Sequence, residues 1–102
     1  MTPTATAAAS ATGIEVYVPG PLRDYCGGAS TIYASATSVK AALADIKRGH
    51  PNLYANICDE TGAVRKHIGV FVNSDHIRDL NGLDTPLEAR DVLTILPAVS
   101  GG

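Results

Sequence analysis

The sequence predicts an α+β domain, a mixed β-sheet with one main helix lying across one face. Three observations predict it. Ile14, Val16 and Val18 alternate with Glu15 and Tyr17, and residues 67–73 alternate in the same way, as strands half-buried in a sheet do. Between them Val39, Leu43 and Ile46 recur at i, i+4 and i+7 with Ala42 beside them, which is the apolar stripe of a helix. The element order is strand, strand, helix, strand, strand, strand. The first and last strands are the long apolar ones, which suits neighbours at the centre of the sheet.

Residues 1–12 hold little besides Ala, Thr and Ser. They bury too little apolar area to offset the entropy of ordering them, so a disordered N-terminal tail is expected. After the first strand, Pro19-Gly20-Pro21 forbids continuation. Leu22 to Tyr25 reads as an irregular link and Gly27-Gly28 as the turn before a second strand at 30–34, giving a hairpin with a long loop. Thr37 or Ser35 is expected to cap the helix, its hydroxyl accepting from the free amides of the first turn. Lys47 and Arg48 fall in the last turn, where the helix dipole favours cations, and Gly49 followed by Pro51 stops it.

Leu53 to Cys58 adds a further turn or two, with Leu53, Ile57 and Tyr54 facing inward. Asp59-Glu60-Thr61-Gly62 is a turn. In the third strand Ile68, Val70 and Val72 share one face, Gly69 and Phe71 the other. Asn73-Ser74-Asp75 turns the chain into a short strand at 76–79, and Asn81-Gly82 turns it again. Thr85-Pro86-Leu87 reads as one helical turn with Pro at its first position. In the closing strand Leu93 and Ile95 face one way, Val92, Thr94 and Leu96 the other.

At 102 residues the chain makes one domain whose core needs no disulfide or metal. The net charge of −2 leaves no basic footprint for nucleic acid and no polybasic patch for a membrane, and by itself suits a basic partner surface. No apolar run approaches a membrane span, and the Thr/Ala/Ser start lacks the basic, Leu-rich character of a signal peptide, so a cytoplasmic location is expected. Cys26 and Cys58 read as reduced, small hydrophobes. His50, His67 and His76 show no metal-ligand spacing, and no nucleophile–base set or phosphate loop is present. No catalytic residue, metal or bound cofactor is expected in the domain itself.

The informative stretch is the last one. A strand reaching Pro97 leads straight into Ala98, Val99, Ser100, Gly101 and Gly102. Two residues without Cβ make a tip thin enough to enter another protein's active site and bring a carboxylate there. The expected organisation is therefore a tail at 1–12, a folded domain at 13–98 and a flexible diglycine tail at 99–102. A partner-docking patch is expected on the sheet face opposite the helix, from Phe71, Leu96, Thr94 and Tyr17, with Arg78 and Asp75 at its rim.

Val70-Phe71-Val72-Asn73, Asp75-His76-Ile77-Arg78, Gly82-Leu83-Asp84-Thr85-Pro86-Leu87 and residues 91–102 resemble the bacterial sulfur carriers of the MoaD/ThiS family, whose fold is the ubiquitin-like β-grasp. The resemblance covers about residues 14–102. Its Leu-Pro-Ala-Val-Ser-Gly-Gly ending looks most like molybdopterin-synthase small subunits and cysteine-biosynthesis sulfur carriers, and the insert at 51–66 favours the cysteine type. Gly69 stands where the family usually has a polar residue, and Arg90 where it often has Gly.

The resemblance implies that an E1-like adenylating enzyme, using ATP and Mg²⁺, activates the Gly102 carboxylate. A sulfur nucleophile then displaces AMP, and the resulting thiocarboxylate gives its sulfur to a sulfur-accepting synthase. The carrier is thus a substrate, not an enzyme. A molybdopterin precursor or the thiazole of thiamine are alternative acceptors. A ubiquitin-like modifier that forms isopeptide bonds with lysines is the alternative of another class, and a plain interaction domain is a third.

Overall fold

The computed structural model describes residues 13–97. The expected tails at 1–12 and 99–102, and the domain boundary at residue 98, lie outside the described residues. Among the described residues there are five strands: β1 at Gly13–Tyr17, β2 at Thr31–Ser35, β3 at Ile68–Val72, β4 at Asp75–His76 and β5 at Val92–Pro97. They form one sheet in the order β2-β1-β5-β3-β4. β1 and β5 pair in parallel and every other pair is antiparallel, so the expected mixed sheet has its first and last strands side by side at the centre.

The register explains why. Val16 lies between Ile32 on β2 and Leu93 on β5, and Leu93 lies in turn opposite Val72 on β3. One apolar row thus crosses four strands, and alternation puts the next such residues, Ile14, Ile95 and Val70, on the same face. That face is covered by two helices, α1 at Val39–Gly49 and α2 at Pro51–Ile57. They bury Val39, Ala42, Leu43 and Ile46 from α1, and Leu53 and Ile57 from α2, in a common core.

The main helix is α1, and the further turns expected from Leu53 to Cys58 are α2, which begins two residues earlier, at Pro51, and ends at Ile57. Pro51, read as a stop beyond Gly49, sits in the first turn of α2, where its missing N–H costs nothing. His50 is shared, closing α1 and opening α2. Tyr54 is only half-buried, and its ring receives the Lys47 ammonium at 5.4 Å from the centroid.

The helix cap is Ser38, not Thr37 or Ser35: its hydroxyl accepts from the Ala41 N–H at 3.1 Å. Ser35 instead ends β2, one residue later than expected, and its N–H donates to Asp45 of α1 at 3.1 Å. Thr37 is occupied otherwise, its carbonyl accepting from the Leu87 N–H. Replacing Ser38 by Ala is expected to cost about 1 kcal/mol, read as a lower urea midpoint with an unchanged slope. A variant as stable as the parent contradicts the cap.

Other segments also differ from expectation. Residues Gly20–Cys26 wind into a 3₁₀-helix that buries Leu22 and Cys26 and closes on Gly27 at φ 71°. Cys26 and Cys58 are both free and buried. The short strand is Asp75–His76, earlier and shorter than 76–79, because Ile77–Asp79 is a 3₁₀ turn capped by His76, whose Nδ1 accepts the Arg78 N–H at 3.1 Å. Thr85-Pro86-Leu87 is not helical. The 3₁₀ turn lies just before it at Gly82–Asp84, and Pro86 bridges to Ser38. The buried Thr85 hydroxyl accepts from the Asn81 N–H and donates to the Gly82 carbonyl, fixing that loop in place.

A buckle joins the end of β3 to the start of β5. Asn73, at φ 56°, accepts from the Val92 N–H through its side-chain Oδ1 at 3.1 Å and donates from Nδ2 to Asp91 at 3.2 Å. Asp91 in turn accepts from the Glu88 N–H at 2.8 Å. The chain between them passes through Arg90 at φ 80°, a left-handed conformation in which a Cβ is crowded. Glycine at that position relieves the crowding. Arg90→Gly is expected to raise stability by about 0.5–1 kcal/mol, and an unchanged or lower melting temperature contradicts the account.

Candidate functional site

The face opposite the helices is where the sheet is open. Pairing brings its residues together across strands: Tyr17 on β1 lies beside Thr94 on β5, Thr94 beside Phe71 on β3, and Phe71 beside His76 on β4. This is one continuous row, and it contains three of the four residues expected to form a docking patch. The fourth, Leu96, lies two residues further along β5, opposite Gly69. Tyr17 and Leu96 are each 40% exposed. Tyr33, at 73%, extends the apolar surface onto β2 at the other end of the face.

The row is held from both sides. At one side Arg23 donates to the Val18 carbonyl at 2.9 Å and to the Tyr17 hydroxyl at 3.0 Å, and its guanidinium lies 5.7 Å from the Tyr17 ring centroid. At the other side the His76 ring meets the Phe71 ring edge-on, with centroids 4.9 Å apart. Gly69 makes this arrangement fit. A Cβ there would approach Phe71 Cε1 to 3.2 Å and the His76 Nε2 to 3.7 Å, so the ring leans over a position with no side chain. A shallow cavity of about 250 Å³ opens between these groups, lined by Gly69, Phe71, His76, Arg78, Leu96 and Pro97.

The strand that passes through the row also carries the chain toward its end. Leu93 and Ile95 are fully buried, and the sheet holds β5 as far as Pro97, which pairs with Ile68. Val99, Ser100, Gly101 and Gly102 lie outside the described residues. The exposed patch therefore sits at the root of the stretch expected to work.

Elsewhere the chemistry is sparse. A cavity of about 410 Å³ on the helix side includes Lys47, Tyr54, Cys58, Asp59 and Arg65. Burial pushes the Cys58 thiol up, which the hydrogen bond from Tyr54 only partly opposes, so little thiolate is available to act as a nucleophile. Asp59 is held below the usual carboxylate range by the Thr61 hydroxyl and the amides of Thr61 and Ala63, and serves as the anchor of its own turn. Among the described residues no group of His, Cys, Asp and Glu is placed to hold a metal ion. No helix among them is long and apolar enough to cross a membrane. The described residues thus place an open, partly apolar row of side chains on the strand that leads to the C-terminal stretch.

The ThiS family model matches residues 16–102. This chain belongs to the ThiS family. A relative from Mycobacterium tuberculosis, the sulfur carrier protein CysO, is 30% identical over 91 residues, covering 87% of this chain and 98% of the relative. Among solved structures, a chain of the Amycolatopsis orientalis BexX/CysO complex superposes with a TM-score of 0.79 at 32% identity, covering 87% of this chain and 99% of that one. Small archaeal modifier protein 1 from Methanosarcina acetivorans superposes with a TM-score of 0.77 at 30% identity, covering 90% and 98%. The β-grasp assignment holds, and the protein is a ThiS-family sulfur carrier, a substrate of other enzymes and not an enzyme itself.

In this ThiS-family carrier the two expected rim residues part company. Arg78 lines the cavity beside Phe71, whereas Asp75 lies opposite Val72, in register with the side of the sheet that faces the helices. Three contributors went unread in the sequence. His76 reads there only as a histidine without metal-ligand spacing, Gly69 as a departure from the family pattern, and Arg23 as part of an irregular link. The family departure at Gly69 was the available signal, since a glycine inside a strand often marks a close approach.

Proposed function

We propose that this ThiS-family carrier works through Gly102 as a cysteine-type sulfur donor. An E1-like enzyme that binds ATP and Mg²⁺ joins the Gly102 carboxylate to AMP with loss of pyrophosphate. Sulfide displaces AMP from the acyl carbon and gives the C-terminal thiocarboxylate directly. A persulfide displaces AMP to give an acyl disulfide, and a second thiol then attacks the donor's sulfur, forming a disulfide with it and expelling the thiocarboxylate. A sulfur-accepting synthase uses that sulfur on an activated amino acid precursor.

The observation that carries this reading is the placement of the open apolar row on the strand that leads to the C-terminal stretch. A partner that covers Tyr17, Thr94, Phe71 and Leu96 has its active site within reach of Gly102. The five residues after Pro97 span at most about 17 Å. Val99, Ser100 and Gly101 serve as the narrow lead-in. The two free, buried cysteines suit the reducing cytoplasm, where we place the protein.

The test is intact mass after incubation with the E1-like enzyme, ATP, Mg²⁺ and a sulfur source. A gain equal to the difference between sulfur and oxygen supports the carrier, and an unchanged mass contradicts it. The similarity to small archaeal modifier protein 1 favours a second reading, in which Gly102 forms isopeptide bonds. Conjugates with other proteins in place of the sulfur gain would establish that one. A molybdopterin precursor or a thiazole as acceptor would be shown by transfer of labelled sulfur to those products.

A further inference from the structure

We infer that the cavity beside Phe71 is a specificity pocket for an acidic side chain set within an apolar segment of the partner that loads this carrier. The inference rests on the docking reading above and names the chemistry of the surface that docks. Its argument is local charge. The molecule carries −2 overall, which alone suits a basic partner. The docking row has the opposite character.

Arg23 lies over its Tyr17 end, and Arg78 lines the cavity at its Phe71 end. Among the described residues no carboxylate lines that cavity. The nearest acid on the open face of the two central strands is Glu15, which pairs with Val92, four residues along β5 from Leu96. Four residues of strand are about 13 Å, beyond the roughly 8 Å screening length of physiological salt. Asp75 is in register with the other face, opposite Val72.

The donors are also fixed in direction. His76 Nδ1 is occupied in accepting the Arg78 N–H, so neutral His76 carries its proton on Nε2. That nitrogen lies on the cavity side, 3.7 Å from where a Cβ on Gly69 would stand. The floor and walls are apolar, from Gly69, Phe71, Leu96 and Pro97. An imidazole N–H and a guanidinium at the edge of an apolar slot match a carboxylate flanked by apolar side chains. They disfavour a basic residue by like-charge contact.

The experiment measures association of the full chain with the E1-like enzyme of the same organism, without ATP, so that docking is read apart from loading. Arg78→Glu is expected to weaken binding about tenfold, whereas Arg78→Lys stays within about twofold. Added salt is expected to bring the unmodified chain toward the Arg78→Glu value. Gly69→Val occupies the slot without changing charge but pushes on the Phe71 ring, which a Cβ there already approaches to 3.2 Å. It is expected to weaken binding by a similar factor, and a circular-dichroism melt checks that the sheet is retained.

Unaltered binding by Arg78→Glu overturns the inference, whether or not Gly69→Val has an effect, and tighter binding overturns it by showing a basic partner surface. Unaltered binding by Gly69→Val overturns the pocket as the point of contact. Loading is followed in parallel. An unmodified chain that docks with the expected pattern yet gains no sulfur counts against the Gly102 reading alone.

Discussion

Removal of Gly102, or extension of the chain beyond it by a C-terminal tag, is expected to abolish sulfur loading while leaving the melting temperature unchanged. The two halves of this result have separate causes. Pro97, which pairs with Ile68, is the last described residue of β5, and the core of the described residues is complete five residues before Gly102. The reaction, in contrast, needs one particular carboxylate at one place. Losing a residue withdraws it by about 3.5 Å, and misplacement by about 1 Å already costs on the order of a hundredfold in rate. A tag is more severe, because an amide replaces the carboxylate altogether. Intact mass reads the loading and a circular-dichroism melt reads the fold. Sulfur gain by the truncated chain would contradict the assignment of Gly102.

Leu93→Ala has the largest effect expected on stability. Leu93 is fully buried on the central strand, with Val16 on one side and Val72 on the other. Truncation leaves a void that three strands cannot all close, at a cost of about 3–4 kcal/mol. Against a total of roughly 5–15 kcal/mol for a domain, this lowers the melting temperature by about 12–25 °C. Thr94→Ala is the control. It is one residue away, faces the open side and is only half-buried, so a change below about 1 kcal/mol is expected. Equal effects at the two positions would mean that the faces of β5 have been assigned wrongly.

Much of this molecule could be read from periodicity. Val39, Leu43 and Ile46 identify α1, and the alternation through Ile14, Val70 and Leu93 identifies three strands and their buried sides. Once β1 and β5 are placed side by side, Tyr17, Thr94 and Phe71 fall into one row. The readings that failed lack a repeating signal. Two residues cannot display alternation, so β4 was misplaced, and with it the partnership of His76 and Phe71. Three neighbouring hydroxyls at Ser35, Thr37 and Ser38 compete for one cap, and only backbone direction decides among them. Pro51 stops one helix and starts another with the same ring, and sequence alone favours the first meaning. Arg90 was noticed as an irregularity, but its left-handed backbone is what explains why glycine is commonly used there.

The parallel contact between β1 and β5 has a consequence for biosynthesis. Glu15, Val16 and Tyr17 find their neighbours at Val92, Leu93 and Thr94, almost at the opposite end of the polypeptide. The middle of the sheet therefore cannot assemble until residues 92–94 have emerged from the ribosome. A product cut short before residue 92 lacks the strand that joins the two halves and never offers a formed docking row.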